Sequence, residues 1–322
     1  LWRFTALHAM TELGCADELR DGPLSTAELA RRCGADPAAL ERVLRTLAGA
    51  GLLVSPAPGR YALTPAGATL RRDAPASTRP AVLCNGEAGS WYAMGALTDT
   101  VRTGRSAFMA RYGSLYEYLS ARPALGRLFD EFMRARSLPL AAGVAEGYDF
   151  SRVGTVVDVG GGQGTFLAAI LRAHPHVRAV LYELPHVLPG ARDRLAAAGV
   201  ADRCELVAGD FFAAVPAGAD VYLLANIIHN WDDERALRIL ENVRAALPEH
   251  GRVLFVDMVL PDDDRAHMGK DLDMRMLALF GPGRERTESE YLGLLARVGL
   301  HGRRLAELSA LQLSLIEAVP AG

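Results

Sequence analysis

The chain has 322 residues, 50% of them hydrophobic and 23% charged, with a formal net charge of -3. That apolar fraction excludes a disordered chain, and the near-neutral charge argues against a protein that wraps nucleic acid or adheres to anionic membranes by bulk electrostatics. No uninterrupted apolar run approaches the ~18–20 residues needed to span a bilayer, and the length favours two domains over one. The four cysteines, Cys15, Cys33, Cys84 and Cys204, form no CxxC pair, so a reduced, cytoplasmic setting without structural zinc is expected. The first residue is Leu1 rather than Met, so the natural N-terminus is expected to lie upstream.

The first third reads as helix and turn. Ser25 followed by Glu28 is a capping box that opens a helix ending near Cys33-Gly34. Asp36-Pro37 starts another, with Leu40, Val43, Leu44 and Leu47 at helical spacing. Leu52–Ser55 and Arg60–Thr64 flank a Pro-Ala-Pro-Gly turn and predict a hairpin. Together these segments describe a winged helix-turn-helix at roughly 26–70. A DNA reader would place hydrogen-bonding side chains on the first turn of its second helix. Here that turn is Pro37-Ala38-Ala39-Leu40, so a packing and dimerisation module is the preferred reading. Residues 75–145 are predicted helical, with aromatic and methionine side chains at core spacing.

From about 150 the pattern becomes alternating strand and helix. Strands are predicted at Val153–Val159, Val177–Tyr182, Cys204–Ala208, Val221–Ala225 and Arg252–Met258, with helices at Phe166–Ala173 and Val187–Ala198. Apolar strands separated by helices imply a doubly wound, mostly parallel α/β sheet, with ligands at the carboxyl ends of its strands. The expected division is a helical domain over 1–145 and a sheet domain over 146–322.

Three strand ends carry ligand chemistry. Val156-Val157-Asp158-Val159 runs into Gly160-Gly161-Gly162-Gln163-Gly164 and then a helix. Glycines allow a tight turn and a close ligand, but Thr165 breaks the dinucleotide fingerprint, and Asp158 suits a cationic or zwitterionic ligand better than a pyrophosphate. Glu183 ends the next strand, where a carboxylate can accept from a ribose diol. Gly209-Asp210-Phe211-Phe212 follows the third strand, where Asp210 could bond an adenine amino group while Phe211 covers the base. Successive placement favours a nucleoside ligand.

This combination resembles the S-adenosylmethionine-dependent methyltransferases. Asn226-Ile227-Ile228-His229-Asn230-Trp231-Asp232-Asp233-Glu234 is similar to the H-D-W-x-D-E signature of the plant-type small-molecule O-methyltransferases, which have bacterial members in polyketide and antibiotic pathways. Asp271-Leu272-Asp273-Met274 and Gly283-Arg284-Glu285-Arg286-Thr287 resemble two further family blocks. The likeness covers nearly the whole chain, because members also carry an N-terminal winged-helix dimerisation domain.

The resemblance implies a Rossmann-like coenzyme domain, a homodimer and transfer of a methyl group to a phenolic hydroxyl of an aromatic, polyketide-derived acceptor. A phenol has a pKa of about 10, and a histidine can take its proton as transfer proceeds. His229 is the expected base, with Asp257 and Glu285 the acidic residues that bracket the family's histidine. Asp158, Gly160, Gly162, Glu183, Asp210, Phe211 and Trp231 are the expected coenzyme residues. Met133, Met276 and Phe280 are the expected substrate residues, giving an apolar, sulfur-lined slot. Ala225 departs from plant members, which often place a lysine there. No catalytic metal, nucleic acid or membrane is expected. Two alternatives stay open: a methyltransferase-like hydroxylase using the same coenzyme, and a coenzyme-sensing winged-helix regulator.

Overall fold

A computed structural model describes residues 1–308 and 312–322 of the chain. Two compact units emerge: Leu1–Ala96 with Arg111–Ala135, and Leu97–Ala110 with Arg136–Gly322. These segments alternate along the chain and differ from the expected single cut at 145. The reason is a single helix, Pro123–Gly147, whose last turns bury Leu140, Ala141 and Val144 in the core of the second unit.

The first unit contains the winged-helix pattern. Strand β1 (Leu24–Ser25), β2 (Leu53–Ala57) and β3 (Arg60–Leu63) form an antiparallel sheet in the order β1-β3-β2. The helix Thr26–Cys33 is capped by Ser25, which accepts from Glu28 N, and the helix Pro37–Ala48 by Asp36, which accepts from Ala39 N at 2.8 Å. Leu29, Leu40, Leu44, Leu47, Leu53 and Tyr61 close the core between them. Residues 79–147 are mostly helical, as the sequence predicts.

In the second unit β4 (Thr155–Val159), β5 (Arg178–Glu183), β6 (Cys204–Ala208), β7 (Val221–Ala225) and β8 (Arg252–Leu260) pair in parallel in the order β6-β5-β4-β7-β8. The order reverses between β4 and β7, which is the topological switch point where an open α/β sheet binds its ligand. Side chains alternate between two cores. Leu254, Val256 and Met258 of β8 face one, and Val253, Phe255 and Val259 face the other.

Three strands lie beyond the sequence reading. The two-residue β9 (Arg286–Thr287) pairs in parallel with the end of β8, and β10 (Leu300–Leu308) and β11 (Leu313–Pro320) extend the sheet as an antiparallel hairpin against β8. None of the helices among the described residues is long and apolar enough to cross a membrane.

Candidate active site

The carboxyl ends of β4 to β8 gather most of the expected residues. After β4 the chain turns through Gly160 and Gly162, both with positive φ, into the helix Thr165–Ala173. Glu183, at the end of β5, receives Gly162 N on Oε2 at 3.0 Å and Leu184 N on Oε1 at 2.7 Å. The carboxylate and the glycine loop are thus tied together. Past β6, Asp210 is exposed and its Oδ1 accepts from Phe212 N. Phe211 and Phe212 meet Trp231 edge-on, with centroids 6.1 and 4.7 Å apart. These three rings form an apolar wall beside the glycine loop, since a Cβ on Gly160 would lie 3.3 Å from the Phe211 ring.

Asp158 is placed differently from the other coenzyme candidates. It is fully buried, both its oxygens lack partners, and a Cβ on Gly161 would come within 2.5 Å of its carboxyl group. Burial, with the nearby Glu183 charge, pushes its pKa up to about 8. The group therefore sits under the loop, mostly protonated at neutral pH, rather than presenting a free carboxylate to a ligand.

The second half of the site centres on His229, in a short 3-10 turn after β7. The residue is 8% exposed, and its Nδ1 lies 3.1 and 3.3 Å from the two oxygens of Glu285. Its Nε2 has no hydrogen-bond partner among the described residues. Glu285 is delivered from 56 residues away by the segment leading into β9. That segment is zipped to the histidine loop: Arg284 N donates to His229 O at 2.9 Å, and Glu285 N donates to Asp273 at 2.8 Å. Gly283 is required by this close approach, because a Cβ there would sit 2.9 Å from His229 O.

Asp257, near the end of β8, does not bond His229. Its Oδ2 accepts from Tyr291 at 2.9 Å and its Oδ1 is buried without a partner. Its influence on the histidine is electrostatic. Burial alone would lower the His229 pKa, but the Glu285 charge and hydrogen bond, helped by Asp257, outweigh it and raise the value. Burial, reinforced by Glu285, also pushes Asp257 up to about 6 against the pull of His229 and Tyr291. An imidazole held by a carboxylate on one nitrogen and free on the other is arranged to accept a proton on the free side.

Three further residues shape this site and were not singled out by sequence reasoning. Arg286 is 1% exposed, and it donates to Ile228 O, to Trp231 O at 2.8 Å and to Asp233 at 2.8 Å, so one guanidinium fixes the loop on both sides of His229. Tyr291 caps Asp257. Arg136 is half-buried; burial lowers its pKa while Glu285 and Asp257 hold it up, and its charge is felt by His229. Arg286 sits inside a polar motif and Tyr291 and Arg136 within helices, where residue spacing does not show which buried carboxylates they face.

Met276 and Phe280 lie on a one-turn π-helix, Met276–Phe280, where Met276 is buried and Phe280 half-buried. Such turns are frequent at functional sites. Ser106 Oγ donates to Ala278 O at 2.6 Å and holds this turn in place. Met133 belongs to the first unit, whereas every other residue placed here is in the second. Among the described residues no group of three or more His, Cys, Asp or Glu is disposed to hold a metal.

Comparison with known proteins bears on this geometry. Residues 94–301 match the O-methyltransferase domain and residues 1–73 the O-methyltransferase dimerisation domain. The chain is 42% identical over 320 residues to the phenazine O-methyltransferase PhzM of Lysobacter antibioticus, covering 99% of this chain and 93% of the relative. Among solved structures it is similar to CalO1, a methyltransferase in calicheamicin biosynthesis with S-adenosylhomocysteine bound. That match has 40% identity and a TM-score of 0.88, over 99% of this chain and 94% of the other. It is also similar to NcsB1, an O-methyltransferase from neocarzinostatin biosynthesis solved with S-adenosylmethionine and 2-hydroxy-5-methyl naphthoic acid. Here identity is 34% and the TM-score 0.83, over 99% of this chain and 96% of the other.

Proposed function

Because the chain belongs to the S-adenosylmethionine-dependent O-methyltransferase family, we propose that it methylates a phenolic hydroxyl of an aromatic natural-product intermediate, with His229 as the general base. The observation that carries this reading is His229 itself, with Nδ1 bonded to buried Glu285 and Nε2 left without a partner. Bound coenzyme supplies a sulfonium whose methyl carbon is electrophilic. The residues present fit that group. Glu183 with the glycine loop suits the ribose, Asp210 and the Phe211 and Trp231 rings suit the adenine, and the orphaned acceptor that follows β7 suits a cationic, donor-bearing end.

The protein's own contribution is positioning and proton management. The acceptor lies flat against Met276 and Phe280, so that its hydroxyl addresses Nε2. As the phenolic oxygen bonds the methyl carbon and the carbon–sulfur bond breaks, its electron pair staying on a sulfur that would leave as a neutral thioether, the phenolic proton passes to Nε2. The imidazolium is then steadied by Glu285, and more weakly by Asp257. The backbone that carries Glu285 is fixed, since its N is tied to Asp273 and the neighbouring Arg284 N to His229 O. The N-terminal dimerisation domain supports a homodimer as the working form.

Incubation with methyl-labelled coenzyme and hydroxylated naphthoates or phenazines tests this. A labelled ether is expected from the native protein. His229→Ala is expected to retain coenzyme binding while turnover falls by about 10²- to 10⁴-fold. Undiminished turnover removes His229 from the role, and an oxygenated, unlabelled product favours the hydroxylase alternative.

A further inference from the structure

The residue that follows β7 is unusual in two independent ways. Asn226 has φ +55 although it is not glycine, and its side-chain Oδ1 is buried without a hydrogen-bond partner among the described residues. Asparagine tolerates the left-handed region better than most residues, but single residues persist there only when their surroundings hold them. Asn226 is held on both sides. Its N donates to Val256 O at 2.9 Å, and its O accepts from Asn230 Nδ2 at 2.9 Å. The backbone is thus locked in a costly conformation that leaves a polar oxygen with nothing to accept. Strain and an orphaned acceptor at one residue are the marks of a group prepared for a ligand.

Its location says which part of a ligand. β7 lies beside β4, where the strand order reverses, and Leu223 stands opposite Asp158 in the register. Asn226, three residues on, therefore lies at the carboxyl edge beside the glycine loop, and its neighbour Ile227 would meet a Cβ on Gly160 at 2.8 Å. Glu183 ends β5 and Asp210 follows β6, on the other side of β4. With the adenosine over β5 and β6, a coenzyme crossing the loop brings its methionyl end over β7. The donor on that end is the α-ammonium. Asp158 also has orphaned oxygens but is wholly buried under Gly161, whereas Asn226, although its Oδ1 is buried, is partly exposed as a residue at the strand end.

We propose that Asn226 is a coenzyme-binding residue whose side-chain oxygen accepts a hydrogen bond from the α-ammonium of the coenzyme's methionyl end, aimed by the left-handed backbone at the end of β7. This rests on the coenzyme placement given under Proposed function.

Calorimetric titration of the full chain with S-adenosylhomocysteine and with 5′-methylthioadenosine, which lacks the amino-acid end, separates the two. Asn226→Gly accepts the same backbone conformation and removes the oxygen, while Asn226→Asp keeps an oxygen in place. In Asn226→Gly, affinity for S-adenosylhomocysteine is expected to fall about 10- to 100-fold, the size of a hydrogen bond to a charged group, with methylthioadenosine binding unchanged. Asn226→Asp is expected to bind S-adenosylhomocysteine at least as tightly as the native chain. Undiminished S-adenosylhomocysteine binding by Asn226→Gly, or an equal loss for both nucleosides, overturns the proposal alone. A native chain that binds neither nucleoside overturns the coenzyme placement and the proposal with it.

Discussion

Replacing Glu285 with Gln tests how the site sets its base. The two side chains are 10% and 1% exposed, and the His229 Nδ1 contacts to Glu285 are 3.1 and 3.3 Å, so the pair is shielded from solvent. A hydrogen bond to a charged group contributes about 1.5–3 kcal/mol, and a neutral acceptor about half of that. Loss of the charge thus removes about 0.75–1.5 kcal/mol of preference for the imidazolium, or up to about one pKa unit at ~1.4 kcal/mol per unit. The direction follows from the raised His229 value, which populates the protonated, unreactive imidazole to higher pH than usual. In the native enzyme kcat/KM should climb with pH as His229 loses its proton. In Glu285→Gln that acid limb should move down by up to about one unit, while the plateau falls because the imidazolium formed during transfer has lost its partner. Initial rates at saturating coenzyme, and the pH titration of the His229 ring carbon by NMR, both read the shift. An acid limb that stays in place in Glu285→Gln would show that another group titrates and would refute the assignment.

The remaining predictions concern the residues around that pair. Arg286→Met leaves two loop carbonyls without their buried donor, while Asp233 keeps Arg284, so chemical denaturation should report a loss of about 1–3 kcal/mol; an unchanged stability would contradict the clamp. Asp257 has a folded pKa of about 6 against an ordinary 3.8, so its ionisation opposes folding, a penalty absent below the lower value and complete above the higher one. Asp257→Asn should therefore stabilise the protein at pH 8 by up to ~3 kcal/mol and hardly at all near pH 4, while turnover falls. Melting curves at the two pH values, with equal shifts at both, would count against that electrostatic account.

Much of the coenzyme half was legible in the sequence because its signals are local. An apolar run of β-branched residues, a glycine loop and a helix start read as β4 and its turn, and Glu183 and Asp210 sit at the ends of the two strands that follow. Cys204–Ala208 and Val221–Ala225 have the bounds the residues suggest. The antiparallel hairpin of β10 and β11 was not legible. Its edge strand carries Arg303, Arg304 and Glu307 among few apolar residues, since only one side of it needs to pack. The division into units also differs from the expected one, because the helix Pro123–Gly147 runs through both units and continues past Pro139, where sequence suggests a break.

The catalytic half divides along a different line. The sequence alone determined that a histidine stands after the fourth parallel strand with carboxylates downstream, because these lie within short motifs. Tertiary structure decided which carboxylate holds the ring. Glu285 reaches His229 across 56 residues only because β9 pairs with the end of β8 and Arg286 draws the loop in, while Asp257 turns instead to Tyr291. Hydrogen-bond partnership depends on a few ångströms of separation, and burial sets the pKa of each group. Chain order specifies neither, so both arise only when the sheet closes over its two cores.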